Sequence, residues 1–373
     1  MNKNTDWTTD RHFGAAIVHR ERVCEIDFFV SSLELQRLAP ALQKPFPALI
    51  RLSLASECYP TPVLPDGFLG GSAPSLRSLE LNKISFPALP RLLLSATNLV
   101  SFSLRNILRS ECISPEVLVT HLAMLSHLES LHIDFKPPPS RPDRPNRRPP
   151  LPTTCSIFPA LTRILFFGDS DYLEDLVARI DAPLLDSIGI IFCRSFISDI
   201  PQLAQFMRRT TRIQRELQAL KEAYVNIDDY GIVVQSPPRP STTDKMPALR
   251  ISCGGYGWQY TYLVQAFTSL SPSIFMVERL YIYGTMSRLS QDDVEDIQLL
   301  ECFPAFTPVK YLYVLTAFAE IIFAPILQEH VGEKLTDLLP SLESLCLEEV
   351  QPSALFGKLL GSSLVHDGSW DAL

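Results

Sequence analysis

The sequence predicts an α/β solenoid, a horseshoe of about twelve irregular repeats with a parallel concave sheet. Three observations predict it. An apolar phrase of the form L-x-x-L-x-L recurs along most of the 373 residues. Proline outnumbers glycine 31 to 15, which interrupts the chain too often for long helices or long central strands. Hydrophobic residues make up 46% of the chain and charged residues 20%, a balance that excludes a disordered polymer and supplies a core.

A weak copy, Val23/Ile26/Phe28, opens the series, and Leu49/Leu52/Leu54 follows it. Clear copies continue at Leu76/Leu79/Leu81, Leu99/Phe102/Leu104, Leu128/Leu131/Ile133, Leu161/Ile164/Phe166 and Leu185/Ile188/Ile190. Three more stand at Val277/Leu280/Ile282, Val309/Leu312/Val314 and Leu342/Leu345/Leu347. The long gap between Leu185 and Val277 has room for two degraded copies, Leu220/Ala223/Val225 and Leu249/Ile251/Cys253. The last two apolar positions of each phrase are two residues apart, as in a strand with one buried face, while the first leucine turns the chain into it. Proline two residues before that leucine, at Pro47, Pro74, Pro159, Pro183 and Pro340, disfavours the competing reading as an i, i+3 helical face. The return segments Pro115 to Leu122 and Tyr172 to Ile180 read as helices. No unit buries its own apolar face, so the units must stack.

The domain reading is a leader over 1–21, the solenoid over 22–350 and a C-terminal cap and tail over 351–373. Within the tail, Pro352 and Ser353 open a helix, Ser353 to Leu364, that covers the last repeat. Lys136 to Pro152, with eight prolines in 17 residues, interrupts the solenoid as a proline-rich loop. It reads as a solvated insertion, and its PxxP spacing also matches polyproline ligands. Gln235 to Asp244 is a second such loop.

A net charge of -8 argues against nucleic acid, whose phosphates need a basic surface. The eight cysteines form no C-x-x-C pair, and the polar N-terminus lacks the apolar core of a secretory signal. Tyr311 to Ile326 is apolar, but Glu320 and Pro325 break it below membrane-spanning length. The expectation is a cytoplasmic or nuclear monomer with neither a membrane nor a nucleic-acid partner.

Residues between the inward positions of each strand point to the other face. In the first half these are Arg51, Ser53, Ser78, Glu80, Ser101, Ser103, Ser130 and His132, mostly small and polar. Tyr281, Tyr283, Tyr311 and Tyr313 gather on neighbouring strands in the second half, and are the candidate partner-binding residues. The same tyrosines also suit a cross-strand ladder that only stabilises the sheet. His121, His127 and His132 diverge too far for a metal centre, and Cys253 to Gly257 lacks the Lys-Ser/Thr of a phosphate loop. Arg208, Arg209, Arg212 and Arg215, and the acidic run Asp292, Asp293, Glu295 and Asp296, read as solvated helical faces. No nucleophile-base spacing is present, so no enzyme, cofactor or metal is expected.

The phrase Phe46-Pro47-Ala48-Leu49-Ile50-Arg51-Leu52-Ser53-Leu54, with Val63 to Pro74, Tyr172 to Leu176, Ile180 to Leu185 and Leu280 to Tyr283, resembles the leucine-rich-repeat region of fungal F-box proteins from mushroom-forming species. The resemblance runs from about Arg22 to Gln351. It implies a leucine-rich-repeat solenoid and a protein-recognition role, as the substrate-binding part of a Skp1-cullin-F-box ubiquitin ligase subunit. A free-standing leucine-rich-repeat scaffold with no ligase role is the alternative. The 21 residues ahead of Arg22 are too few for the three helices of an F-box. A protein client is therefore expected as a partner, and a Skp1-type adaptor only if an F-box lies upstream.

Overall fold

The computed structural model describes residues 18–57, 59–108, 113–136, 155–193, 200–228, 231–237, 249–254, 276–285, 306–315 and 339–348. The proline-rich loop beyond Lys136, most of the second proline-rich loop, the acidic run from Asp292 and the helix expected over Ser353 to Leu364 lie outside them. The chain divides into two compact units, Met1–Leu185 and Asp186–Leu373.

In the first unit the strands are β1 (Glu25–Phe29), β2 (Arg51–Ala55), β3 (Ser78–Asn82), β4 (Ser101–Leu108), β5 (Ser130–Lys136) and β7 (Arg163–Gly168), all parallel and adjacent in chain order. A small parallel pair, β6 (Ser156–Ile157) and β8 (Ile180–Asp181), lies apart from them. Helices α1 (Ser32–Leu42), α2 (Leu89–Ser95), α3 (Pro115–Leu122) and α4 (Ser170–Ala178) connect the strands. The apolar phrases explain the register. Leu52, Leu79, Phe102, Leu131 and Ile164 are directly paired across five strands and are buried, and so are Leu54, Leu81, Leu104, Ile133 and Phe166 two residues on. Before each strand, the amide of the first leucine donates to the carbonyl three residues earlier, as at Leu49 to Phe46 and Leu76 to Ala73. That bond makes the turn into the strand. At α1 the start is fixed by a capping box: the Glu34 amide donates to Ser31 Oγ at 3.2 Å, and the Ser31 amide donates to Glu34 Oε2 at 2.6 Å.

The second unit holds β9 (Ser187–Cys193), α5 (Pro201–Arg209), α6 (Thr211–Gln218), β10 (Glu222–Asp228), β11 (Gly231–Gln235), β12 (Leu249–Gly254), β13 (Arg279–Thr285), β14 (Tyr311–Leu315) and β15 (Ser344–Glu348). Its strand order is β9-β12-β11-β10-β13-β14-β15. β11 runs antiparallel to both β10 and β12, whereas β9 with β12, and β10 with β13, β14 and β15, are parallel. One apolar row, Ile190, Ile251, Val234, Val225, Ile282 and Val314, is continuous in register and buried through this mixed arrangement.

The expected horseshoe of twelve repeats with a wholly parallel sheet is therefore not the fold. The two apolar phrases expected between Leu185 and Val277 do lie on strands, β10 and β12, but β11 separates them. Two residues join β10 to β11, and so short a link allows only an antiparallel return. A tandem leucine-rich repeat adds each strand beside its predecessor in the same direction, which the strand order of this sheet breaks. The resemblance to the repeat region of fungal F-box proteins fails on the same ground. With it go both functions it implied, the substrate-binding part of a ubiquitin ligase subunit and the free-standing leucine-rich-repeat scaffold. What stands is an α/β fold built on a mixed sheet.

Candidate functional sites

Alternation along β10, β13 and β14 buries Ala223, Val225, Leu280, Ile282, Leu312 and Val314 on one face. Their neighbours Tyr224, Tyr281, Tyr283, Tyr311 and Tyr313 are half-buried on the other. Register brings the four sequence-predicted tyrosines onto this face in three rows. Tyr281 pairs with Tyr313 and with Tyr224, Tyr311 pairs with Arg279, and Tyr283 pairs with Asn226. The rings of Tyr224, Tyr281 and Tyr313 form a continuous stack, with centroids 4.8 and 4.5 Å apart and planes within 10° and 9° of parallel. Tyr283 meets Tyr224 edge-on at 6.4 Å, and its hydroxyl accepts from Gln235 Nε2 at 3.4 Å. Tyr311 is outside the stack, its hydroxyl donating to Glu343 Oε2 at 3.4 Å.

The Arg279 guanidinium holds Glu222 Oε1 through two nitrogens, each at 2.8 Å. Tyr224 donates its hydroxyl to the other carboxylate oxygen at 3.3 Å. Burial and then the Glu222 charge push the Tyr224 phenol well above its ordinary pKa, so it remains a hydrogen-bond donor at any physiological pH. Sequence reading passed over Tyr224, although it sits between Ala223 and Val225 of a recognised phrase. Only the pairing of β10 with β13 makes it the neighbour of Tyr281.

A second constellation, on the first unit, was not anticipated as a site. Glu80, Ser103 and His132 are directly paired across β3, β4 and β5. Arg105 bridges them: Nε donates to His132 Nδ1 at 3.1 Å, and Nη1 lies 3.3 Å from Glu80 Oε1. An arginine cannot give up this proton, so Nδ1 is the acceptor and the neutral imidazole carries its hydrogen on Nε2. Beyond Leu104 the β4 register shifts at a bulge, where Asn106 adopts φ 53. Its amide bonds the Asp134 carboxylate, and its Nδ2 donates to Asn82 Oδ1 at 2.9 Å.

Burial raises the Asp134 pKa to about 6, with the Asn106 amide and Arg105 opposing the rise. Burial first, and Arg105 second, lower that of His132 to about 4. Ser103 is only 8% exposed, and its Oγ has no hydrogen-bond partner. Perturbed ionisable groups, a bulge and an orphaned buried hydroxyl coincide here, as they do at functional sites more often than elsewhere. The sequence placed Glu80, Ser103 and His132 on this face. It missed Arg105 and Asp134 because the six-residue phrase ends before they do, whereas β4 and β5 run on to Leu108 and Lys136.

The remaining candidates separate. His121 is on α3 with Nδ1 2.7 Å from the Val117 carbonyl, His127 is in the following turn and His132 is on β5. Among the described residues no group of three or more His, Cys, Asp or Glu could hold a metal ion. Arg212 on α6 pairs with Asp186. No helix among the described residues is long and apolar enough to cross a membrane. No protein-family model matches the chain, and no curated protein matches it.

Proposed function

We propose that the protein is a non-catalytic binding protein whose working surface is the tyrosine face of β10, β13 and β14, and that its partner there is another protein. The observation that supports this most is the Tyr224–Tyr281–Tyr313 stack, half-exposed and already ordered. Tyrosine and arginine are the residues that dominate protein interfaces, and rings held by their neighbours lose little further freedom when a partner covers them. Arg279, fixed by Glu222, adds an oriented guanidinium beside the rings. Catalysis is disfavoured at the polar constellation, because the His132 nitrogen that would act as a base is occupied by Arg105.

On this reading the protein acts as an intracellular monomer, with the free thiols of Cys24, Cys155 and Cys346 suiting a reducing compartment. A benzophenone side chain placed at Tyr283 should cross-link a discrete partner in the native cell, and one placed at Leu94, an exposed position on α2, should not. Tyr281→Ala with Tyr313→Ala should then weaken binding of the purified partner by thirtyfold or more, about 2 kcal/mol. A folded double variant that binds at wild-type affinity would overturn the proposal.

A further inference from the structure

The face of β3, β4 and β5 offers small hydroxyls where the tyrosine face offers rings. Ser78, Ser101 and Ser130 are directly paired, one per strand, and half-buried, so three hydroxyls stand in a row at the strand spacing of about 4.8 Å. Arg51 and Arg163 close the two ends of that row. Alongside it runs the Glu80–Ser103–His132 row, and beyond that Asn82, Arg105 and Asp134, with Phe167 paired to Asp134 on β7. A row of serines is not in itself a site. Ser103 supplies the independent sign of a ligand: more than nine-tenths buried, on the same face as the row and one alternation from Ser101, its hydroxyl has no partner. A buried hydroxyl without a partner costs free energy that a bound hydrogen-bonding group returns.

The chemistry narrows what that ligand is. Glu80 offsets Arg105, Glu25 lies 3.6 Å from Arg51 at one end of the row, Asp134 adds a second carboxyl and His132 is uncharged, so the face does not select an anion. Serine is depleted in protein interfaces and offers no hot-spot anchor, so a protein is disfavoured. What remains is a ligand rich in both donors and acceptors, uncharged, and repeating at close to the strand spacing. We propose that this face binds a neutral glycan whose pyranose units lie across β3, β4 and β5, their hydroxyls on Ser78, Ser101 and Ser130. The amides of Asn82 and Asn106 and the Nε2 hydrogen of His132, on the rows beside the serines, suit vicinal hydroxyls, which donate and accept at once.

Calorimetric titration of the full chain with cellohexaose, laminarihexaose and maltohexaose tests this. At least one should bind with a Kd of about 1 mM or tighter. That affinity should fall at least tenfold in Ser101→Val with Ser130→Val, and should be unchanged in Tyr281→Ala with Tyr313→Ala. Ser103→Ala should also weaken binding while leaving the melting temperature of the free protein unchanged or higher, which a purely structural serine would not do. Should the valine pair lower the melting temperature, Ser101→Ala with Ser130→Ala replaces it. No binding of any of the three sugars at about 10 mM, or equal binding by the serine variants, would overturn the proposal. Loss of protein-partner binding in the serine pair, with no sugar bound, would reassign the face to a protein.

Discussion

Asp134 and His132 sit on one strand with Arg105 between their influences, and their shifts have opposite consequences for stability. Asp134 rises from 3.8 to about 6, so the folded state holds its proton more tightly than the unfolded chain does. Its contribution is fully present below about pH 4 and is lost as pH rises through about 6. His132 falls from 6.5 to about 4, so its contribution is fully present above about pH 6.5 and is lost as pH falls through 4. At about 1.4 kcal/mol per unit, each is worth roughly 3 kcal/mol over nearly the same window. On acidification from pH 7 to 4 the two nearly cancel in the wild type.

Single substitutions expose them. Asp134→Asn keeps an acceptor for the Asn106 amide but removes the gain, so relative to wild type it should lose roughly 3 kcal/mol between about pH 6.5 and 4. His132→Asn keeps an acceptor where Nδ1 accepts from Arg105 and removes the loss, so it should gain a similar amount over the same interval. Urea unfolding at several pH values measures both, and the difference from wild type cancels every other titrating group. The double variant should track wild type. Two single variants whose difference from wild type stays flat with pH, within about 0.5 kcal/mol, would refute the reasoning.

The core and the caps give simpler expectations. Phe102→Ala, at a fully buried position paired on both sides by leucines, should cost about 3 to 5 kcal/mol in urea unfolding, and a loss under 1 kcal/mol would mean that the site is not packed as described. Ser31→Ala removes the hydroxyl half of the α1 capping box and should cost about 1 kcal/mol. A null result there would show that tertiary contacts, and not the cap, fix that helix.

Strand positions were legible because alternation leaves a strong trace. Each clear phrase falls on a strand, and its last two apolar residues are buried in every case except Leu345 and Leu347 on the edge strand β15. Helices α3 and α4 were legible from their own periodicity, the first opened by Ser114 and Pro115. Strand direction was not. The apolar spacing of a strand is the same whether its neighbour runs parallel or antiparallel, so the phrase that located β10 and β12 could not reveal the reversal between them. Only the short link and the Ile232-Val233-Val234 run carried that information, and a search for leucines at fixed offsets passes over both.

The same alternation explains why the sites were half legible. A buried position is constrained by packing, so its residue type repeats from strand to strand. The opposite face carries no such constraint, and its residues show a pattern only where something other than the core selects them. Serine at three successive paired positions in the first unit and tyrosine at three in the second are patterns of that kind. Both are visible in sequence as soon as register is known. The groups that tune them are not, because Arg105 reaches two neighbouring strands and Glu222 meets Arg279 across 57 residues of chain. In both places a guanidinium ties a carboxylate to the row of small or aromatic residues beside it, so the charge is spent inside the sheet face. On the two proposals each surface would meet its ligand through hydroxyls or rings on rigid strands, where preorganisation and not net charge sets affinity.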